Sequence, residues 1–414
     1  MRSSAIVVWA ASTLVLLAVG RPPTVARLLP GAMPPSPTSL VSGGHTRVHE
    51  SLRAIRAMAW WSPTIGFLAT SQGVFRTLNG GNTWALWSPA VGGDQGAFDS
   101  LQAVGPNLLW ATTMTQLYRI NDGVPHVVYR GKRSPSLYPR PASLATVSRA
   151  KTFWLEDGTI YRVEVGTPAR VRSASPPGPV RSMVWFGAVG FAATGPSVWI
   201  TTDGGFQWRR VFTAPVSEAA GRWGPDLAAN SPRSVWDVMS GEGGLGHYAY
   251  ILFHTPNGGR TWQPMVDEAY MQSTGYPTVR KTVLPSTLAP GGIPGPITAV
   301  GAEGALFFAW NDSPDLKALR IIETHGTLLS LPSSRRPGAP QFGRSPVVQF
   351  SSPSTGWIAG GTTDGEAALL VTHNGGRTWR IWPIRVKAAT RPTRSSHSSS
   401  PTGIRGASDG RQER

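Results

Sequence analysis

The sequence predicts an all-β fold, a seven-bladed β-propeller with four antiparallel strands in each blade. Three observations predict it. A phrase of the form Thr-x-(Asp/Asn)-Gly-Gly-x-x-Trp occurs in four copies, strand-and-turn text repeats upstream of the copies, and the intervals fit a period of roughly 40 residues. A phrase that recurs at such intervals is typical of a repeat architecture, in which each repeat folds as one supersecondary unit.

Each copy of the phrase, called a box from here on, predicts a strand, a tight turn and a second strand. Asn-Gly and Asp-Gly between apolar runs favour hairpins, and glycine supplies the positive φ that the turn needs. The Asn or Asp side chain accepts hydrogen bonds from backbone N–H groups of the turn, and the Trp opens the next strand and covers the hairpin. We predict structural roles for all the box residues: Thr77, Asn79, Gly80, Gly81, Trp84, Thr201, Asp203, Gly204, Gly205, Trp208, Thr255, Asn257, Gly258, Gly259, Trp262, Thr372, Asn374, Gly375, Gly376 and Trp379.

The text upstream of the boxes predicts what else a blade contains. In the copies that begin at Met58, Met183 and Val348, an apolar strand, a turn, a Gly-aromatic strand and a third strand precede the box. The box then leads into a fourth strand. Four short antiparallel strands per unit is the blade of a β-propeller.

The spacing of the boxes predicts the number of blades. Trp84 and Trp208 lie about three periods of roughly 40 residues apart, and worn copies without a box begin between them at Leu101 and Leu144. A third worn copy begins at Ile297, after a Gly- and Pro-rich stretch that predicts a long loop at about 267–296. The total is seven blades, with six or eight as the alternatives, and regular helix should be scarce.

The two ends of the chain differ in composition from the repeats. Residues 1–20 are a basic start followed by an apolar run, which predicts a signal peptide or an N-terminal anchor, and residues 21–45 form a linker rich in Pro, Ser and Gly. The propeller is expected over 46–387, and 388–414 read as a basic, disordered tail. The protein is therefore expected to be exported, either secreted or tethered outside the cytoplasmic membrane.

The net charge and the absence of cysteine restrict which partners, cross-links and anchors the protein can have. The chain has no cysteine, which excludes disulfides and a lipoprotein anchor, and its net charge is +17. A basic exported protein suits an anionic membrane surface or a cell-wall polymer. Export, and the lack of a nucleic-acid-binding signature, argue against nucleic acid. The eight His residues lack metal-ligand spacing, and we predict neither a metal nor a cofactor.

The residues of a catalytic centre are hard to find. A two-carboxylate glycosidase needs acids that converge over one face, and the candidates are Asp99, Glu156, Asp157, Asp226, Asp237 and Glu242. The dipeptide Glu156-Asp157 followed by Gly158 is explained by a hairpin turn. Tyr118-Arg119-Ile120-Asn121 is similar to the start of a sialidase, but it lacks the Pro and coincides with the third strand of a blade. No catalytic residue is predicted.

The box resembles the Asp-box, or bacterial neuraminidase repeat, with Asn in place of Asp in every copy except the one with Asp203. The longer phrase, aromatic-Ser-x-x-Ser/Thr-Gly-Trp-x-x-Gly before Thr-x-Asn-Gly-Gly-x-Thr-Trp, resembles the photosystem II assembly and stability factor family. That resemblance spans about 51–384 and is sharpest in blades one, four and seven. It implies an extracytoplasmic seven-bladed propeller whose basic face binds newly made membrane proteins and assembly intermediates.

These observations lead to two hypotheses. The first is a non-catalytic, exported, membrane-associated propeller scaffold that binds a protein or a membrane-protein complex through its inter-strand loops. The alternative is a secreted carbohydrate-active protein of the sialidase-like propeller type, either a glycosidase or a glycan binder. Its sugar platforms would be the adjacent Trp60 and Trp61, or Trp223.

Overall fold

The computed structural model describes residues 52, 54–91, 98–131, 143–166, 169–215, 226–244, 247–268, 281–302, 304–310, 316–331, 346–362 and 366–387. Its strands form seven four-stranded antiparallel sheets, and each sheet is a meander of four consecutive strands. The predicted all-β fold with seven blades is confirmed. The predicted leader (1–20), linker (21–45) and tail (388–414) lie outside the described residues.

The blades follow one another along the chain. Blades one to four contain β1 (Ala57–Trp60), β2 (Gly66–Thr70), β3 (Gly73–Thr77), β4 (Ala85–Pro89); β5 (Ser100–Gly105), β6 (Leu108–Thr112), β7 (Gln116–Asn121), β8 (Val124–Arg130); β9 (Ser143–Ser148), β10 (Lys151–Glu156), β11 (Thr159–Glu164), β12 (Arg170–Ser173); and β13 (Ser182–Phe186), β14 (Val189–Thr194), β15 (Ser197–Thr201), β16 (Arg209–Thr213). Blades five to seven contain β17 (Asp226–Ala229), β18 (Val235–Gly244), β19 (His247–Thr255), β20 (Gln263–Glu268); β21 (Ile293–Val300), β22 (Gly304–Trp310), β23 (Leu316–Ile322), β24 (His325–Ser330); and β25 (Val347–Phe350), β26 (Gly356–Gly361), β27 (Ala367–Thr372), β28 (Arg380–Ile381).

The worn copies form the same meander as the copies with a box, as their strand spacing predicted. The long connection before blade six is shorter than the predicted loop at both ends. β20 continues through Glu268, because Asp267 and Glu268 pair with β19, and β21 begins at Ile293. Within the described part of this connection, Ser286–Leu288 forms a single turn of 3-10 helix, the only helical element in the residues that the structure describes.

The sheets close into a ring. The first strands of the blades contact one another in chain order, and β25 of the last blade contacts β1 of the first. Clusters of buried apolar side chains lie at the seams between neighbouring blades, including the seam between the last blade and the first. Burial of these apolar faces is the main stabilising term for such a ring.

Both ends of the described chain join the first and last blades. Before β1, the carbonyl of Leu52 accepts a hydrogen bond from the N–H of Ala367 in blade seven (2.9 Å). After β28, the carbonyl of Arg385 accepts one from the N–H of Trp84 in blade one (2.8 Å). The segment before β1 is therefore hydrogen-bonded to blade seven, and the segment after β28 is hydrogen-bonded to blade one. Each sheet nevertheless takes its four strands from one continuous segment.

A glycine opposite an aromatic ring recurs between the first and second strands. Trp60 pairs with Gly66, and Trp185 pairs with Gly190. A methyl group at Gly66 would lie 2.5 Å from Cε3 of Trp60, so the ring occupies the space that any larger side chain would need. The Gly-aromatic strand of the repeat is thus a packing requirement, since the ring lies flat over the glycine.

The ring has two faces, which differ in the turns they carry. We call box face the side with the turns between first and second strands and between third and fourth strands, where the boxes lie. We call connector face the opposite side, with the second-to-third turns and the passages from one blade to the next. The box-face turns are short, whereas the passages between blades include segments such as 216–225 that lie outside the described residues.

Candidate functional site

The boxes lie between the third and fourth strands of blades one, four, five and seven. In the first box, the hydroxyl of Thr77 donates to Oδ1 of Asn79 (2.9 Å) and accepts from the N–H of Gly81 (2.9 Å). Oδ1 of Asn79 also accepts from the N–H of Thr83 (3.0 Å). The Trp of each box immediately precedes the fourth strand. The other boxes repeat these contacts, with Thr201 and Asp203, Thr255 and Asn257, and Thr372 and Asn374.

The boxes with Asn and the box with Asp differ in two contacts of this side chain. Each Asn donates through Nδ2 to a Thr hydroxyl four residues later, as Asn374 does to Thr378 (2.8 Å). Asp203 has no donor, and the residue at the matching place is Gln207. Oδ1 of Asp203 accepts from the N–H of Gln207 (3.0 Å), as Oδ1 of each Asn does at the same place, and also from the N–H of Phe206 (2.9 Å). Asn therefore adds a side-chain bond to the turn wherever Thr is available to accept it.

Each box also holds the first-to-second turn of its own blade. The N–H of Gly80 donates to the carbonyl of Thr64 (2.9 Å), and the N–H of Gly204 donates to that of Ala188 (2.9 Å). The boxes in blades five and seven make the same bond. The Thr hydroxyl, the Asn or Asp side-chain oxygen and the N–H groups of both glycines in each box thus have partners within their own blade.

The candidate acids are spread around the connector face and the core. Asp99 directly precedes β5 in blade two, and Asp226 opens β17 in blade five. Burial raises the pKa of Asp99 to about 6, and the guanidinium of Arg56, 3.9 Å from its carboxylate, lowers it in part. Asp99 and Asp226 thus belong to different blades, each at the connector-face end of a first strand.

The other candidate acids are held inside the fold. Asp237 in β18 is fully buried, and neither carboxylate oxygen has a hydrogen-bond partner among the described residues. Burial, and then the charge of Asp226, raise the pKa of Asp237 well above the ordinary value, which favours its protonated form. Glu156 is 9% exposed, and burial followed by the charge of Asp157 raises its pKa to about 7. The side chain of Glu242 lies outside the described residues.

The hairpin interpretation of Glu156-Asp157-Gly158 agrees with the backbone. Asp157 and Gly158 have φ of 46° and 78°, and they connect β10 with β11. Positive φ at both central positions is the conformation of a type I′ hairpin. Of the candidate sugar platforms, Trp60 is buried in the seam between blades seven and one, Trp61 is half-buried, and Trp223 lies outside the described residues.

The sequence analysis did not identify an arginine that recurs at the same third-strand position in four of the seven blades. Arg76, Arg119, Arg162 and Arg320 lie on third strands near the box face. They pair across the sheet with Phe67, Trp110, Phe153 and Leu306, each of which packs in the cluster shared with the following blade. Because paired residues share one face of a sheet, all four arginines face the next blade. Blades four, five and seven have Ile200, His254 and Val371 at this place.

The contacts of these arginines cross the seams. Nη1 of Arg76 donates to Oδ1 of Asn107 in blade two (2.6 Å), and Nε of Arg320 donates to the carbonyl of Gly375 in the box of blade seven (2.7 Å). An apolar or aromatic residue directly before each Arg was the available sequence signal, as in Tyr161-Arg162. Among the described residues, the box-face turns and adjoining strand ends carry further cations at Arg149, Lys151, Arg170, Arg209, Arg233, Arg260, Arg377 and Arg380, and acids at Asp122, Glu164, Asp203 and Glu323.

The described part of the chain contains no group of three or more His, Asp or Glu side chains placed to hold a metal ion. In the same residues, no helix has the length and the apolar character needed to cross a membrane.

Comparisons with known proteins show the fold alone. No protein-family model matches the sequence, and no curated protein matches it. Among solved structures, an ancestral GH74 enzyme is similar with 12% identity and a TM-score of 0.56, over 80% of this chain and 46% of that one, so the chain spans less than half of the enzyme's length. YCF48 bound to D1 peptide matches with 17% identity and a TM-score of 0.35 (80% and 83% of the two chains), and Kluyveromyces lactis Hsv2 with 9% and 0.43 (80% and 98%). The chain is thus a seven-bladed propeller with distant structural neighbours of several kinds.

Proposed function

We propose that this protein is an exported, non-catalytic propeller scaffold that binds a protein or a membrane-complex partner through its box face. In this proposal its boxes are Asp-boxes of the bacterial neuraminidase type, and its repeats place it near the photosystem II assembly and stability factor family. The observation that carries the proposal is the cation-rich box face, built on short, internally bonded turns.

The box face suits a partner for two physical reasons. Short turns whose polar groups are already paired form a rigid surface, so little conformational entropy is lost when a partner binds. Cations on one face attract an anionic surface and increase the rate of association. The exposed cations at the turns, such as Arg260 and Arg377, are available for this role.

The position of the acids supports the non-catalytic part of the proposal. Glycosidases with two carboxyl groups hold them about 5–10 Å apart, on either side of the scissile bond. Here Asp237, the acid beside Asp226, is fully buried, and Asp157 belongs to a hairpin turn. A sugar cannot enter between a buried acid and its neighbour, and a turn residue has a structural explanation.

The test is cross-linking of the full chain to the membrane fraction of its own organism, followed by mass spectrometry. A variant with Arg260→Glu and Arg377→Glu on the box face is compared with Arg130→Glu and Arg181→Glu at the connector face. These replacements change the net charge equally. We expect one partner to be captured by the wild type and by the connector-face variant, and its capture to fall about tenfold for the box-face variant. Equal capture by the two variants would refute the box-face assignment.

The alternative, a carbohydrate-active protein, gives a different result. Turnover of any chromogenic glycoside, or selective binding on a glycan array that survives the two box-face replacements, would favour it. For the proposed scaffold we expect neither. Export is tested separately, by fusing residues 1–45 to a reporter enzyme that is active only outside the cytoplasm.

A further inference from the structure

The box-face seam between blades three and four concentrates positive charge. Lys151, Glu164 and Arg170 are cross-strand partners in β10, β11 and β12, and Arg162 pairs with Arg172 two residues further along. Because paired and alternate residues share one face of a sheet, all of these side chains lie on the face of blade three that is turned to blade four. Four cations therefore share one side of a sheet with a single carboxylate.

The box of blade four forms the opposite wall. The guanidinium of Arg162 lies 5.0 Å from the ring centre of Phe206, and this ring is 64% exposed. A methyl group on Gly204 would lie 3.4 Å from Nη1 of Arg162 and 3.9 Å from Nζ of Lys151. The cations of blade three thus lie against a turn of blade four, with an exposed aromatic ring beside them.

The carboxylates near the seam do not balance these cations. Oε1 of Glu164 accepts from Nε (3.0 Å) and Nη2 (2.5 Å) of Arg162, so that one carboxylate is engaged with one guanidinium. Asp203, in the adjoining box, accepts hydrogen bonds from the N–H groups of its own turn. Burial, and then the nearby charge of Arg162, lower the pKa of Lys151, as expected where positive charges crowd one another.

We propose that this seam binds a phosphomonoester-type dianion, held by Lys151, Arg170 and Arg172 beside the Arg162–Glu164 pair. Two negative charges on one small ligand compensate the cation excess better than one carboxylate does. The tetrahedral oxygens can be approached from several strands at once, by Arg forks and by the compact Lys charge. The proposal concerns a small-anion site and does not depend on which protein binds the box face.

The test is titration of the full chain with inorganic phosphate at low ionic strength, followed by calorimetry and by phosphorus NMR. We expect saturable binding of phosphate that is competed by sulfate. Lys151→Gln and Arg170→Gln should each weaken it about tenfold, since each removes one charge-assisted hydrogen bond. Arg260→Gln is the matched control, because it removes the same charge from the same face in blade five, and it should change binding less than twofold.

A second arm separates the sources of such an anion. Vesicles of phosphatidylcholine that contain phosphatidic acid, which carries a phosphomonoester, are compared with vesicles that contain phosphatidylglycerol, which does not. Co-sedimentation with phosphatidic acid alone, lost in Arg170→Gln, would show that a lipid headgroup can use the site. Phosphate binding without vesicle binding would assign the site to a soluble anion.

Two results would overturn the proposal. One is the absence of saturable phosphate binding to the wild type, and the other is an equal loss of binding in Arg170→Gln and Arg260→Gln. If Lys151→Gln fails to fold by circular dichroism, the exposed Arg172→Gln takes its place, with the same expected loss. Neither result bears on the cross-linking test of the box face, because the variants used there leave Lys151, Arg170 and Arg172 unchanged.

Discussion

The indole rings of Trp60 and Trp357 stack across the seam between the first and last blades, with ring centroids 3.6 Å apart and planes 13° from parallel. The backbone N–H of Trp60 donates to Oε1 of Gln349 (3.1 Å), and the ring of Trp60 contacts that of Trp84 edge to face, with centroids 5.9 Å apart. The residues that close the ring are thus packed against the Trp of the first box. Loss of this packing should therefore lower the stability of the whole ring.

Replacing Trp357 by Ala should lower the free energy of unfolding by about 3–5 kcal/mol, because a fully buried indole and its stack are lost. Chemical denaturation measures this. Trp61→Ala is the matched control, since Trp61 is half-buried and beside Trp60 in sequence, and it should cost less than about 1.5 kcal/mol. A loss below about 1 kcal/mol for Trp357→Ala would contradict the role assigned to the stack.

The contact of Gly66 with Trp60 predicts that Gly66→Ala destabilises the protein although alanine suits strands better than glycine. A methyl group 2.5 Å from the ring must displace it, at a cost of about 1–3 kcal/mol. Gly105→Ala serves as control, because the nearest atom to a methyl group there is 3.6 Å away. Thermal unfolding of the two variants gives the comparison, and equal melting temperatures would be inconsistent with the packing described.

The side-chain bond from Asn374 to Thr378 predicts that the two residues are energetically coupled. Asn374→Asp removes the donor, and Thr378→Val removes the acceptor hydroxyl while keeping the shape of the side chain. In a double-mutant cycle by urea denaturation, we expect a coupling free energy of about 0.5–1.5 kcal/mol. Additive effects of the two substitutions would show that the bond contributes nothing.

The buried carboxyl group of Asp237 predicts a stability that falls as the pH rises. Its pKa is raised in the folded protein, so above the ordinary value of 3.8 the unfolded chain releases a proton that the folded chain keeps. The stabilisation is fully present below pH 3.8 and is lost as the pH rises towards the folded pKa. Asp237→Asn should flatten this slope and raise the free energy of unfolding at pH 7, whereas Asp122→Asn, in an exposed turn, should leave the slope unchanged.

For His254 we expect the opposite pH dependence, with a free energy of unfolding that falls as the pH is lowered. Burial lowers its pKa from 6.5 to about 4, and its Nε2 lies 3.0 Å from Oγ of Ser234. The stabilisation is present above pH 6.5, since both states are then neutral, and it is lost as the pH falls through about 4. A proton NMR titration of the ring should give a midpoint well below 6.5. A midpoint near 6.5 would show that the imidazole is accessible to solvent.

Local chemistry explains why so much of this fold was predictable. A box such as Thr77 to Trp84 forms its turn from bonds within itself, so the sequence specifies it without reference to the rest of the chain. The worn blades were predicted from strand spacing, which survives the loss of the turn motif. Strand β20 extends two residues into the loop predicted at about 267–296, because Asp267 and Glu268 pair with β19.

What the sequence did not predict depends on which way a strand faces. Asp237 and Arg162 both occupy strand positions where alternation alone leaves the direction open, and the packing of blade on blade decides it. Asp237 pairs with Leu227, whose side chain packs in the seam of blades four and five, and this direction buries its carboxyl group. Arg162 faces the next blade near the end of its strand, where the seam opens to solvent. Asp237 and Arg162 thus differ mainly in how deeply their side chains are buried between two blades.

The division of turns between the two faces has a consequence for how such a protein diversifies. Each blade begins and ends at the connector face, so insertions and deletions between blades can be accommodated there without shifting the registers of the sheets. Changes in loop length are less easily accommodated at the box face, because its hairpins are hydrogen-bonded to the neighbouring turns, as in the bond from the N–H of Gly80 to the carbonyl of Thr64. Relatives that acquire new ligands at the box face must therefore do so by exchanging side chains on a fixed frame.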